Sequence, residues 1–206
     1  FSSTLSYFFQ KYDLSSVSDI KGFISKSTGF ASWMSVNKIV STISSRVDLL
    51  LVLALVGPYN AGIYGVANRL AMGVPLFVGS FATVIASGFA SMDEKEKVAK
   101  YFKKTVGLSL LMAIGVLVGV LITPLATGYL GSEYMESEDI LRLLLLGMLP
   151  FVLATPAINL LIYYYKEPKI IALISVLQLL VILFVNYSLI GELGIYAPVV
   201  AVAASN

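Results

Sequence analysis

The chain has 206 residues, 58% of them hydrophobic and 13% charged, with a formal net charge of +2, whereas a typical soluble domain is roughly 45–50% apolar and about 25% charged. Its mean hydropathy is +0.88, and its apolar residues come in blocks long enough to cross about 30 Å of hydrocarbon, so it reads as an integral membrane protein. The mild charge and the lack of basic runs interleaved with aromatics exclude nucleic acid as a partner, and the absence of Cys and His removes disulfides, thiol catalysis, Cys-ligated zinc and the commonest general base.

The sequence opens with FSSTLSYFF, with no Met and no basic leader. Residues 1–9 read as the tail of a preceding transmembrane helix and 10–29 as a cytoplasmic loop, followed by a transmembrane lobe over 30–206. Five complete spans are expected, at 30–56, 63–91, 105–128, 140–165 and 169–190. They are separated by GPYNAG, MDEKEKVAKYFKK, YLGSEYMESED, YKEPK and GELG, each a turn or charge signal. Residues 195–206 would reach only about 18 Å as a helix, too short to cross, so the sequence reads as a fragment with partial helices at both ends. Barrel strands would need two-residue alternation, which these blocks lack; the expected fold class is all-α, a polytopic transmembrane helix bundle.

Loop charge predicts orientation, because cytoplasmic loops are enriched in Lys and Arg. Ten lysines, Lys11, Lys21, Lys26, Lys95, Lys97, Lys100, Lys103, Lys104, Lys166 and Lys169, fall in alternate connections, while Glu133, Glu136, Glu138, Asp139 and Glu192 fall in the others. That pattern puts residues 10–29 in the cytoplasm. The 93–104 run reads first as a solvated loop and second as a short amphipathic helix on anionic lipid.

The first span carries the strongest chemical signal. On a helix, Asn37, Lys38, Ser41, Thr42, Ser44, Ser45, Arg46 and Asp48 occupy one half of the circumference, and Val36, Ile39, Val40, Ile43 and Val47 the other. From Leu49 to Val56 the span is wholly apolar, so the stripe ends near mid-membrane, about 13 Å from the break at Gly57. Ionised residues there cost about 2.5–3.5 kcal/mol each on insertion scales, so the stripe is expected to face a bundle interior or a water-filled cavity. Lys38 has a competing reading as a residue that snorkels to the interface. Arg46 and Asp48 lie two apart, about 200° around the helix, and are not expected to pair; a partner on another helix, with Arg69 the candidate, fits Asp48 better. Lys38, Ser45, Arg46, Asp48 and Arg69 are therefore the candidate cavity residues, with no catalytic set and no metal site.

Further along, Pro75, Pro150, Pro156 and Pro198 interrupt apolar segments, where proline kinks a helix. The small-residue stretches at 79–91 and 107–119 predict close helix packing. The tyrosines at 163–165 suit an interfacial belt.

Three stretches carry a family resemblance. The order R-x-D-x-L-L-L followed by GPYNAGIYGVANRL, the segment GYLGSEYMESEDILRLLLLGMLPF, and GELGIYAPVVAVAAS together resemble the polysaccharide and O-antigen (Wzx-type) flippases of the MOP superfamily. The resemblance covers nearly the whole chain through loose patterns, and implies one lobe of a two-lobe transporter, here the C-terminal one, whose missing N-terminal lobe closes a central cavity. It also implies a cytoplasmic (plasma) membrane protein that is not an enzyme and has no cofactor. Its substrate would be a lipid-linked oligosaccharide, flipped by alternating access among membrane lipids and coupled to H+ or Na+. Lys38, Arg46 and Arg69 would be cationic wall residues for pyrophosphate or acidic sugars, and Asp48 a counter-charge or coupling site. A multidrug/ion antiporter of the same superfamily and a purely structural membrane protein are the alternatives.

Overall fold

The computed structural model describes residues 20–92, 94–131 and 134–206. Eight α-helices follow one another among them: α1 Ile20–Leu55, α2 Pro58–Ala71, α3 Gly73–Ala90, α4 Lys95–Leu130, α5 Ser137–Gly147, α6 Leu149–Asn159, α7 Pro168–Leu193 and α8 Ala197–Ser205. A π-helical turn, Leu160–Tyr164, continues α6, and a 3-10 turn, Gly194–Tyr196, joins α7 to α8. Four stretches are long and apolar enough to cross a membrane: Pro58–Ala90, Lys95–Tyr129, Ser137–Tyr164 and Pro168–Ser205. Leu76, Phe77, Leu121, Leu125 and Phe184 are each more than 70% exposed, an apolar outer surface that suits lipid rather than water. The protein is a polytopic helical membrane bundle.

α1 begins at Ile20, inside the segment expected to be a loop, and its 36 residues extend about 54 Å. It is absent from the four apolar stretches because Lys38, Arg46, Asp48 and the serines between them lower its hydropathy. The tail expected at 1–9 lies outside the described residues.

The breaks between helices follow from proline and glycine. Pro75, Pro150 and Pro198 each sit in the first turn of a new helix, where the missing N–H has no intrahelical role and the fixed φ suits the turn. At Pro75 and Pro150 the interruption is a single residue, Met72 or Met148, that keeps helical φ/ψ, so the expected loosening of the helix is seen there, whereas Pro198 opens a new helix after the reversal at Gly194. Pro156 alone of the four lies inside a helix, one turn before the π-helical segment. Gly57 has φ +109 and Gly194 φ +54, values open to glycine at no steric cost. At Gly194 the chain reverses. Gln178 Nε2 on α7 donates to Asn206 Oδ1 at 2.8 Å, and Asn206 Nδ2 donates to the Gly147 carbonyl at 3.0 Å, so α8 runs back along α7 and seals against α5.

The core is formed where α1, α2, α4, α5 and α8 meet, around Val52, Tyr64, Ala67, Val116, Ile140 and Val199. A smaller cluster of Ile85, Phe89 and Val98, backed by Tyr101 and Tyr164, holds the opposite end together. Charge is segregated accordingly. Exposed Lys95, Lys97, Lys100, Lys103, Lys104, Lys166 and Lys169 share the end with the second cluster, while Glu136, Glu138, Asp139 and Glu192 share the Gly57 end with Arg142. There Arg142 is neutralised by Glu138 at 2.5 Å and Asp139 at 3.6 Å.

Candidate functional site

α1 and α7 run side by side in the same direction and are joined by two polar clasps. Ser175 Oγ donates to Asn37 Oδ1 at 2.5 Å, and Asn186 Nδ2 donates to Asp48 Oδ1 at 3.1 Å. Eleven residues separate the clasps on each helix, about three helical turns, which returns both pairs to one face. Part of the polar stripe on α1 is therefore a helix seam. The expected partnership of Asp48 with Arg69 is not formed. Asn186 takes that place because it projects from the parallel helix at the same level, whereas Arg69 lines a neighbouring cavity that Asp48 does not.

The Asp48 clasp is deeply buried. Asp48 is 5% exposed, and Asn186 and Tyr64 are fully enclosed. The Tyr64 hydroxyl on α2 stands beside the Asp48 carboxyl, close enough to interact with it but outside hydrogen-bond geometry. Asn186 Oδ1 is likewise buried without a hydrogen-bond partner. Buried polar groups are nearly always satisfied, so two orphaned oxygens beside one carboxyl group make an unusual polar centre within an apolar bundle.

Two cavities flank this centre. The first, about 530 Å3, is lined by Ser45 and Arg46 of α1 and by Gly62, Asn68 and Arg69 of α2. The second, about 240 Å3, is lined by Ser41, Ser45, Asp48, Asn68 and Gln178. Ser45, Asn68 and Met72 border both, so the cavities meet at the break between α2 and α3. Arg46 and Arg69 sit about 16–18 Å along their helices from Gly57, close to the middle of a hydrocarbon layer about 30 Å thick. Neither guanidinium has a carboxylate within ion-pair distance among the described residues. Two unneutralised arginines on one cavity wall form a ready site for a bidentate anion.

Of the five candidate residues, the structure brings Ser45, Arg46, Asp48 and Arg69 around these joined cavities. Lys38 is exposed and lines neither; it lies about 12 Å below Arg46 along α1. Asn68, Tyr64, Gln178 and Asn186 complete the site. Asn186 and Gln178 carried a signal in the sequence, as the amides within the apolar run of α7.

The family described as "Polysaccharide biosynthesis protein" matches residues 1–139, which includes α1, α2 and both cavity arginines. The chain belongs to this family. That agrees with the resemblance to polysaccharide flippases of the MOP superfamily. With the helical bundle, it makes the chain an integral membrane protein of polysaccharide biosynthesis, in a family whose members are typically transporters. No curated protein and no solved structure matches the chain.

Proposed function

We propose that the chain is the C-terminal lobe of a flippase that carries a lipid-linked oligosaccharide across the cytoplasmic membrane by alternating access. The observation that carries this reading is the pairing of Arg46 and Arg69, from two helices, on one mid-membrane cavity without a neutralising carboxylate. Cations held at that depth are costly unless they serve an anion, and a diphosphate entering the membrane needs donors to replace its water. The amide and hydroxyl groups of Asn68, Ser45 and Gln178 beside them match the hydrogen-bonding needs of a sugar. In this reading a missing N-terminal lobe supplies the opposite wall, and no chemical step is performed on the substrate.

Asp48 is assigned to ion coupling. Its carboxyl oxygens, with Asn186 Oδ1 and the Tyr64 hydroxyl, offer an oxygen cluster to H+ or Na+. A carboxylate-centred site is also what a multidrug/ion antiporter of the superfamily would need, so cargo rather than coupling separates the two readings. The test is export of the lipid-linked oligosaccharide by the full-length protein. Arg46→Ala and Arg69→Ala should each lower it by about tenfold, equivalent to losing one charge-assisted contact, at unchanged protein abundance. Normal export in both variants would refute the reading.

A further inference from the structure

Gly115 and Gly119 lie on one face of α4 in a small-residue stretch of the kind that lets helices approach closely. Here no helix does. A Cβ added at Gly115 or Gly73 would meet nothing within 4 Å, and one at Gly119 only the Leu145 Cδ1 atom at 3.9 Å. The close packing expected for 107–119 occurs on another face, where Ser109, Ala113 and Val116 are buried, and within 79–91 it occurs at Gly88, whose added Cβ would strike the Tyr101 ring; the face of Gly115 and Gly119 is left open. The glycines face a groove of about 500 Å3, bounded by Gly73, Phe77, Gly115, Gly119, Ile122 and Leu145. It exists because α3, restarted at Gly73, leans towards α6 and the π-helical turn and away from α4.

The groove is apolar and lies within three of the four membrane-crossing stretches. Its one hydroxyl, Thr123 Oγ1, is already engaged, donating to the Val120 carbonyl at 2.9 Å and accepting from Arg142 Nε at 2.9 Å. A cavity without free polar partners does not hold water, and the volume admits roughly sixteen methylene-sized groups at about 30 Å3 each, the share of a water molecule in the liquid. Hydrocarbon chain is the occupant that fits. Position narrows its source. Leu70 lines the groove while its neighbour Arg69 lines the cationic cavity, and both residues are exposed on the same turn of α2. An anion held by Arg46 and Arg69 would have a tail at its side able to pass over Leu70 into the groove.

We propose that the groove between α3 and α4 seats the hydrocarbon tail of the lipid-linked substrate, anchored by its diphosphate at the two arginines. This rests on the reading of Arg46 and Arg69 as the headgroup site. The experiment places a photoactivatable residue at Ile122, in the groove, or at Leu121, the next residue, which points elsewhere at the same depth. Each full-length protein is reconstituted in phosphatidylethanolamine–phosphatidylglycerol vesicles with a radiolabelled polyprenyl diphosphate. Capture at Ile122 should exceed that at Leu121 by about fivefold, because headgroup anchoring raises the local tail concentration. Gly115→Leu, which fills the groove, should abolish the excess, and Gly115→Ala, which fits the open space, should reduce it only slightly. Equal capture at the two positions, capture of phospholipid as readily as of the polyprenyl probe, or a folded Gly115→Leu protein that keeps the excess would each overturn the proposal. The two readings fail separately. Groove-specific capture that survives in Arg46→Ala and Arg69→Ala refutes the headgroup site and the anchoring and leaves only the groove's binding of the tail, whereas loss of export in those variants with equal capture at Ile122 and Leu121 upholds the headgroup site and overturns the groove.

Discussion

The Asp48–Asn186 clasp should be the strongest single tie between α1 and α7. Replacing Asn186 by Ala removes the 3.1 Å donor from a carboxyl group that is 5% exposed and leaves it among apolar neighbours. A hydrogen bond to a charged group contributes about 1.5–3 kcal/mol in water-soluble proteins. Interhelical hydrogen bonds within membranes average about 0.6 kcal/mol and reach about 1.7, because the separated helices find other partners in the membrane-embedded unfolded state. Asn186 also donates to the Ile182 carbonyl on its own helix at 2.9 Å, so the amide is shared and the upper soluble range does not apply. A coupling energy of about 1–1.7 kcal/mol follows for the cycle Asp48→Ala, Asn186→Ala and their combination. The neutral Asn37–Ser175 clasp is less buried on the Asn37 side and serves as an internal reference, with about 0.6 kcal/mol expected. Reversible unfolding in mixed detergent micelles, measured for both cycles, gives the comparison directly. A coupling below about 0.3 kcal/mol for Asp48–Asn186, or a larger value for the neutral clasp, would refute the assignment of Asp48 to this seam.

Cysteines introduced singly at Glu192 and Ala99, which lie at opposite ends of the bundle, should label from opposite sides of intact cells, Glu192 from outside; the reverse pattern would overturn the orientation drawn from the lysines. Gly88→Ala should destabilise the protein by about 1–3 kcal/mol through overpacking, since its Cβ would sit 2.7 Å or less from the Tyr101 ring, and Tyr101→Leu should recover part of that loss in the same unfolding assay. Gly57→Ala should cost about 1–2 kcal/mol although nothing lies within 4 Å of the added Cβ, because φ +109 is strained for any side chain. An unchanged melting temperature for Gly57→Ala would mean the α1–α2 turn relaxes to another conformation.

Much of this architecture was legible along the chain because it depends on neighbours in sequence. Apolar block length set the membrane-crossing helices, alternating lysine content separated the two ends, and three- and four-residue spacing put Ser45, Arg46 and Asp48 on the polar half of α1. Periodicity names a face and is silent on what meets it. Asp48 faces Asn186 across 138 positions of sequence, and one amide inside the apolar run of α7 has no local pattern to mark its partner. Arg46 and Arg69 come to one cavity only because the turn at Gly57 folds α2 back beside α1 at matching depth, while Lys38, on the same stripe, is left outside it. The glycines of α4 make the point most sharply. Small residues permit close approach, but whether a helix approaches depends on where its own breaks direct it: Ser109, Ala113 and Val116 are packed, while the Gly115 and Gly119 face of the same stretch is left as an open groove beside the restart of α3 at Gly73.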